Sequence, residues 1–512
     1  MRQLRWILVG ALTIGAVGCV DDPQDPKTWI KKIGDPREGK DAINQLIRLK
    51  DAQAVEPLIA HYKKTKDSET LRALATFKDK RAVPVFVDAL DFSEDSFDQA
   101  AAAASALGEI KDVGDVAAVE ALVKAVQKPL PAKSRANVVR LESMKALTKI
   151  HADGGQAASK GKTVDALIKI LETSADDQDF FLNQVAATSL GELADPKAVP
   201  ALIRGLFMVG RGADIFQPCR TALLHIGTPA VKPLIDAHQH KFDKLEEDAK
   251  KYEFRPGVIE QKTALMLGDL RGKDAISVLV AELKKPQKGD NHLGALVALG
   301  LIGDPSTTKE IIAVVNDAKR DWKVRLSAVE ALNNAGDPSA LPTLLQVAKT
   351  GDVTKDGTKY PDLRIGAAIA YSRLGGAAEA AAFAPVAAAE KAVKAEFDEA
   401  AQRLELAKKC NKDVACYGAG LDDAVLAKQE KAAFMLSRMG KEAMPALVKK
   451  ISTKEPIVRL AVLFAIQKIN DKSSAEAKKA LEAQIELDKT KPPIKALVDE
   501  MRATLAILNA KG

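Results

Sequence analysis

One phrase recurs along the chain and constrains its fold more than any other feature: "AVEPLIAHY", "AVPVFVDAL", "AVPALIRGL", "AVKPLIDAH", "ALPTLLQVA" and "AMPALVKKI", with Pro57, Pro84, Pro200, Pro233, Pro342 and Pro445 in nearly the same place. A second phrase precedes several of these: "SALGEIKD", "ATSLGELAD", "ALMLGDLRG" and "ALVALGLIGD". Each is an apolar run of helical period carrying a Leu-Gly pair, followed by a turn rich in Asp and Gly. A helix, a tight turn and an antiparallel helix, repeated every ~30 to 45 residues, satisfy both phrases. Proline in the first helical turn costs no hydrogen bond, because its missing donor would be unpaired there anyway. In "ADPKAVPALI" and "GDPSALPTLL", Asp195 and Asp337 are placed to accept from free backbone N–H groups of the turn. Gly108, Gly191, Gly268 and Gly300 each cost a helix about 1 kcal/mol relative to Ala. Their shared register predicts close helix approach as the compensation.

The phrases resemble HEAT repeats, particularly the type also found in phycobilisome lyases, in which "VR" opens an Ala-rich first helix and a "GD" turn follows. That pattern stands in "KVRLSAVEALNNAGDPSALPTLL" and partly in "IVRLAVLFAIQKINDKSS", with Arg325 and Arg459 at the Arg position and Arg72 and Arg364 in comparable places. The resemblance implies an all-α fold, an α-solenoid of about eleven helix pairs with a helical insertion. Layers spaced about 8 to 10 Å apart would make an open curved rod on the order of 100 Å long, with a long concave face.

The N-terminus sets the compartment. "MRQLRWILVGALTIGAVGC" has Arg2 and Arg5, an apolar run from Trp6 to Val17, and small residues before Cys19, the pattern of a secretory signal. The run is shorter than the roughly 20 residues a membrane-spanning helix needs. The segment resembles the lipobox of bacterial lipoproteins, which implies that Cys19 is diacylated and becomes the mature N-terminus. Ala16 stands where the usual pattern has Leu, and an ordinary signal peptide with an incidental cysteine is the alternative. The implied location is exported and membrane-anchored, at the periplasmic face or the outer membrane.

The domain reading is therefore a signal peptide at 1–18, a lipidated N-terminus and tether at 19–35, a repeat array at 36–386, a helical insertion at 387–424, and C-terminal repeats with capping helices at 425–512. The insertion is marked by a break in rhythm near residue 376. Val393, Phe397, Ala400, Leu404 and Ala407 follow helical spacing toward Cys410, and Asp413 can cap a further helix from Val414. As an insertion it is expected to project from one face or extend a helix pair.

Of four cysteines, Cys410 and Cys416 lie six apart around an Asn411-Lys412-Asp413 turn. On one unbroken helix they could not bridge, but the turn removes that objection, and export would place them in an oxidising medium. A disulfide is the reading, with free thiols or a metal or redox role as alternatives. Cys219 shares an apolar helical face with Ala222, Leu223 and Ile226, which predicts a buried single thiol.

Functional chemistry is sparse. The six histidines are His61, His151, His225, His238, His240 and His292. His238 and His240 are two apart, so on a helix they face different ways, and solvated helix-end histidines are expected; His225 reads as a core or half-buried residue. HEAT-like deoxyhypusine hydroxylases bind iron through His-Glu pairs, whereas no histidine here is followed by Glu. No nucleophile elbow, phosphate-cradling Gly loop or zinc-type cysteine set is present, so no catalytic residue, cofactor or metal is expected. Aromatics at 4%, and a formal charge that falls from +7 to +5 when Arg2 and Arg5 leave with the signal, argue against nucleic acid. The expected function is a membrane-anchored, non-catalytic scaffold of the cell envelope that holds a protein or peptide partner on its concave face. An enzyme or enzyme-associated subunit with a site in the groove, lyase-like for example, and a plain spacer are the other classes.

Overall fold

The computed structural model describes residues 22–510, apart from 94–95, 111–115, 132, 153–156, 211, 352, 356–357 and 491–494. Cys19 and the signal segment lie outside the described residues. Among these residues the chain forms 29 α-helices and two short antiparallel hairpins, Val209–Gly210 with Ala213–Asp214 and Val353–Lys355 with Thr358–Tyr360. No helix among them is long and apolar enough to cross a membrane. The chain divides into two compact units, Met1–Thr163 and Val164–Gly512.

Both units use the same local chemistry. Between the helices of many of the pairs lies a single 3-10 turn. Asp79, Asp195, Asp304 and Asp337 cap these turns by accepting from the backbone N–H of Arg81, Lys197, Ser306 and Ser339 at 2.9 to 3.0 Å. Pro84, Pro200, Pro342 and Pro445 then open the second helices at their first or second positions. Pro57 and Pro233 stand one residue later, still within the first turn.

The glycines of the first helices are contact points between successive repeats. A Cβ on Gly108 would lie 2.7 Å from the Ala146 Cα in the first unit; in the second, Gly191, Gly268 and Gly300 face the Cα atoms of Ala222, Ala298 and Ala331 at 2.7 to 2.8 Å. Helix backbones touch there, so the helix propensity lost at each glycine is offset by packing of the next repeat.

The arginine of the "VR" pattern has a different task. Its Nε donates to a carbonyl near the end of the preceding second helix: Arg325 to Val315 O, Arg364 to Ala348 O and Arg459 to Thr453 O. Arg140 does the same at Val126 O. These cations satisfy carbonyls that lack helical partners. Arg72, in a comparable place in sequence, is exposed.

In the first unit, helices Gly39–Leu49, Ser68–Phe77, Phe97–Ile110 and Asn137–His151 pack in succession. Val55–Thr65, Val83–Ala89 and Val116–Gln127 form the second row. Leu46, Leu58, Leu71, Leu74, Phe86, Leu107 and Leu122 are fully buried between the rows.

The second unit departs from an open rod. Its main row runs Phe180–Leu193, Phe216–Ile226, Val258–Asp269, Asn291–Ile302, Trp322–Ala335, Asp362–Leu374, Lys394–Cys410, Leu426–Leu436, Pro456–Ile469 and Lys495–Asn509. Neighbours pack on one another, the step after 216–226 being made through Val231–His238. The last helix then packs against both 456–469 and 216–226, so the row returns on itself. Arg220 ties the return, with Nε 2.6 Å from Asp269 and Nη1 3.5 Å from Glu500. The row of this unit is therefore closed by its own C-terminal helices rather than left as an open rod.

Of the two forms expected for the insertion, projection from one face is not the one its long helix takes. The 394–410 helix does not project; it lies between 362–374 and 426–436 as one more step of the row. Phe397, Ala400, Leu404 and Ala407 are at most 2% exposed, and burying them requires neighbours on both sides.

Candidate functional site

The cysteine pair is built by local rules. The 394–410 helix ends at Cys410, and Asn411 adopts a left-handed φ of 49°, which turns the chain. The Asp413 N–H donates to Cys410 O at 2.8 Å, while its carboxylate accepts from Ala415 and Cys416 N–H at 2.8 and 3.2 Å, starting the Val414–Gly420 helix. This brings the Cys410 and Cys416 Cα atoms to 5.3 Å, and the two residues are joined as a disulfide. Cys219 is fully buried and unpaired, and burial pushes its thiol far above the ordinary range.

The histidines are structural partners rather than a shared centre. His238 is fully buried, not solvated as its helix-end position suggests: Nδ1 meets the Thr263 hydroxyl at 3.0 Å, and Nε2 lies 3.9 Å from Glu282. Burial outweighs those neighbours and lowers its pKa. Thr263 comes from a different helix, so periodicity within 231–238 carried no sign of this partner. His240, on a left-handed residue past the helix end, pairs with Glu246 at 2.8 Å and Glu260 at 3.1 Å. Burial would lower its pKa, but the two glutamates raise it. His225 is half-buried with a lowered pKa, chiefly from burial. Among the described residues, no three or more His, Cys, Asp or Glu side chains gather in a way that could hold a metal ion.

Two other places collect polar or open surface. The first unit carries an open cleft of about 730 Å³. Val87, Leu90, Val123 and Pro129 make it largely apolar, and Lys124, Lys128 and Lys162 stand at its edge. Lys128 Nζ lies 4.0 Å over the Phe92 ring and bonds the Phe92 carbonyl. Lys162 bonds Glu120.

The second unit carries a line of cations along its fold-back. Lys431 is fully buried and donates to the carbonyls of Arg373 and Gly375 at 2.5 and 2.8 Å. Burial, then Arg438, Arg403 and Arg373, push it down to about 7, with only Glu379 opposing. Glu430 accepts from Arg403 at 2.7 Å and Arg373 at 3.1 Å. Burial raises its carboxyl, but the two guanidinium groups hold it below its usual value. Arg438 bonds Gly336 O, and Lys468 donates to Asn334 O at 2.9 Å. Sequence reading missed this line, although Arg403 and Lys431 occupy helical register positions otherwise filled by apolar residues. That mismatch was the available signal.

Comparison with known families matches HEAT repeats over residues 276–358 and PBS lyase HEAT-like repeats over 100–128 and 184–207. No curated protein matches the chain. Among solved structures, a Kap121p mutant is similar at 10% identity with a TM-score of 0.49, covering 91% of this chain and 55% of that one. Kap121p bound to Pho4p is similar at 10% identity with a TM-score of 0.46, covering 94% and 53%. Human deoxyhypusine hydroxylase in complex with glycerol matches at 15% identity with a TM-score of 0.22, covering 57% and 95%. The chain thus spans about half the length of the Kap121p structures it matches. It carries HEAT-type repeats where those family models match, and the same turn, glycine and arginine chemistry recurs along both units of its all-α repeat fold.

Proposed function

We propose that this protein is a non-catalytic scaffold that holds a protein or peptide segment, and that it is exported and membrane-anchored through acylated Cys19. The observation that carries the binding reading is the apolar cleft on the second-helix row of the first unit. It is open and of a size that accepts several side chains of a partner segment. In the second unit the row is closed by the chain's own C-terminal helices, which favours the cleft as the contact surface. The lipobox resemblance at Cys19 supports an envelope location, at the periplasmic face or the outer membrane.

Two substitutions test the parts separately. With the full-length protein in its native envelope, Val123→Asp places a charge at the half-buried wall of the cleft and should remove a partner that the wild-type chain captures. An unchanged set of captured proteins would sink the cleft reading. Cys19→Ser should move the protein out of the membrane fraction, and unchanged membrane association would sink the lipid anchor while leaving the cleft untouched.

A further inference from the structure

We propose that Arg271, Arg438 and Lys468 form a binding site for a small tetrahedral oxyanion of the phosphate or sulfate class. The three side chains come from different repeats of the second unit: Arg438 and Lys468 meet at the C-terminal end of the Trp322–Ala335 helix, and Arg271 approaches Lys468 over the Phe464 ring of the same 456–469 helix. Lys468 Nζ sits on Asn334 O at 2.9 Å and Arg438 Nη1 on Gly336 O. A Cβ on Gly336 would lie 2.5 Å from Arg438 Nη1 and 3.5 Å from Lys468 Nζ, so the two heads stand side by side. Arg271 is the third cation. It acts on Lys468 electrostatically and lies 5.8 Å over the Phe464 ring.

What these cations lack is a counter-charge. None of the three makes an ion pair with a carboxylate among the described residues. The acids closest in effect are committed elsewhere: Asp269 bonds Arg220, and Asp337 accepts from Ser339 and from the Thr308 hydroxyl. Donors are left over as well. Lysine offers three and arginine five; Lys468 and Arg438 each spend one on a carbonyl, and Arg271 spends none of its side-chain donors among the described residues.

The surroundings strengthen the demand for an anion. Phe434 lies 5.9 Å from Arg438 and 5.8 Å from Lys468; Arg271 and Lys468 are half-buried, so water screens the repulsion between them poorly, while Arg438 reaches the surface and leaves the group open to solvent. Burial and the two arginines push Lys468 down to about 8. The two carbonyls and the end of the helix dipole compensate part of this charge, but they cannot engage the free guanidinium donors. A tetrahedral oxyanion can, because it offers several acceptors in the geometry arginine favours.

The experiment is calorimetric titration of the full chain with inorganic phosphate and, separately, with inorganic sulfate, against sodium chloride at matched ionic strength. Saturable binding at one site per chain is expected for the oxyanions and not for chloride. Arg271→Met and Lys468→Met should each weaken it by about tenfold or more. Arg271→Lys should recover part of the loss, and Lys323→Met, at an exposed lysine of the 322–335 helix, should leave it unchanged. Absence of saturable binding above the chloride control overturns the proposal, and so does binding by both Met variants equal to wild type. The wild-type titration decides the first point whether or not any variant folds.

Discussion

The regular stretch from 258 to 335 and the return stretch from 394 to 509 are both rows of packed helices, yet different chemistry holds them. In the first, backbone meets backbone: Gly268 against Ala298 and Gly300 against Ala331, with an aspartate capping the turn after each of the 291–302 and 322–335 helices. In the second, cations reach across the sequence: Lys431 to carbonyls more than fifty residues away, Arg438 and Lys468 to carbonyls more than a hundred away, and Arg403 with Arg373 to Glu430. Repetition secures the neighbour-to-neighbour contacts, because each repeat needs only its next copy. Closing the row joins surfaces that are not copies of one another, and buried hydrogen-bonded charges fix one register for that joint.

The sharpest way to break the return stretch is to remove its central acid. Glu430→Ala removes the carboxylate that Arg373 shares with the 4%-exposed Arg403, leaving Arg403 only the exposed Glu399 at 3.6 Å, beside buried Lys431. Breaking a buried pair from one side should cost about 3 kcal/mol, read from urea unfolding. A second change, Arg403→Met, should restore part of it; no loss in the single variant would mean that the charges do not hold the joint.

Next in size is the clasp. Reducing the Cys410 to Cys416 bond, or replacing both by Ala, should cost about 2 kcal/mol in the chain-entropy model. Equal midpoints with and without reductant would show that the turn is held by Asp413 alone.

The regular row answers to a methyl group. Gly268→Ala adds about 1 kcal/mol of helix propensity, but its Cβ would meet the Ala298 backbone at 2.7 Å. Overpacking costs about 1 to 3 kcal/mol, so a net loss of about 1 kcal/mol is expected. In the return stretch the same change has the opposite sign. Gly418 meets only the Ala446 Cβ, at 3.4 Å, so Gly418→Ala should stabilise by about 0.5 kcal/mol. Thermal melts of the two variants side by side would show whether glycine is a contact in one region and a vacancy in the other.

The smallest expected effect lies at the edge of the regular stretch, where His240 pairs with Glu246 and Glu260. Because the glutamates raise the pKa of His240 in the fold, its pairing contributes stability that is fully present below about pH 6.5. That contribution is lost as pH rises through the folded value. Solvent screening keeps it under about 1 kcal/mol. Wild type should therefore lose slightly more stability than His240→Gln between pH 6 and pH 8; parallel curves would remove His240 from the list of stabilising pairs.

Legibility in the sequence follows the same division. The helix pairs, the aspartate caps, the early prolines and the glycine contacts were all readable, since each depends on residues within one repeat or its next copy. The helix leading to Cys410 and the cap at Asp413 were readable for the same reason. The burial of His238 was not, because its partner Thr263 lies on another helix, and the carbonyl contacts of the motif arginines were not either, since Arg72 stands at a comparable place in sequence yet is exposed.

By itself, then, the sequence determined that this chain forms paired helices in a HEAT-type array, because helical period, turn residues and proline placement act over a few residues and repeat. Only the tertiary structure decided that the second unit closes on itself, that the 394–410 helix packs as a step in the row, and that Arg438 and Lys468 stand side by side. Those outcomes depend on which distant surfaces fit after the row has curved, and no local pattern of charge or hydrophobicity encodes that distance.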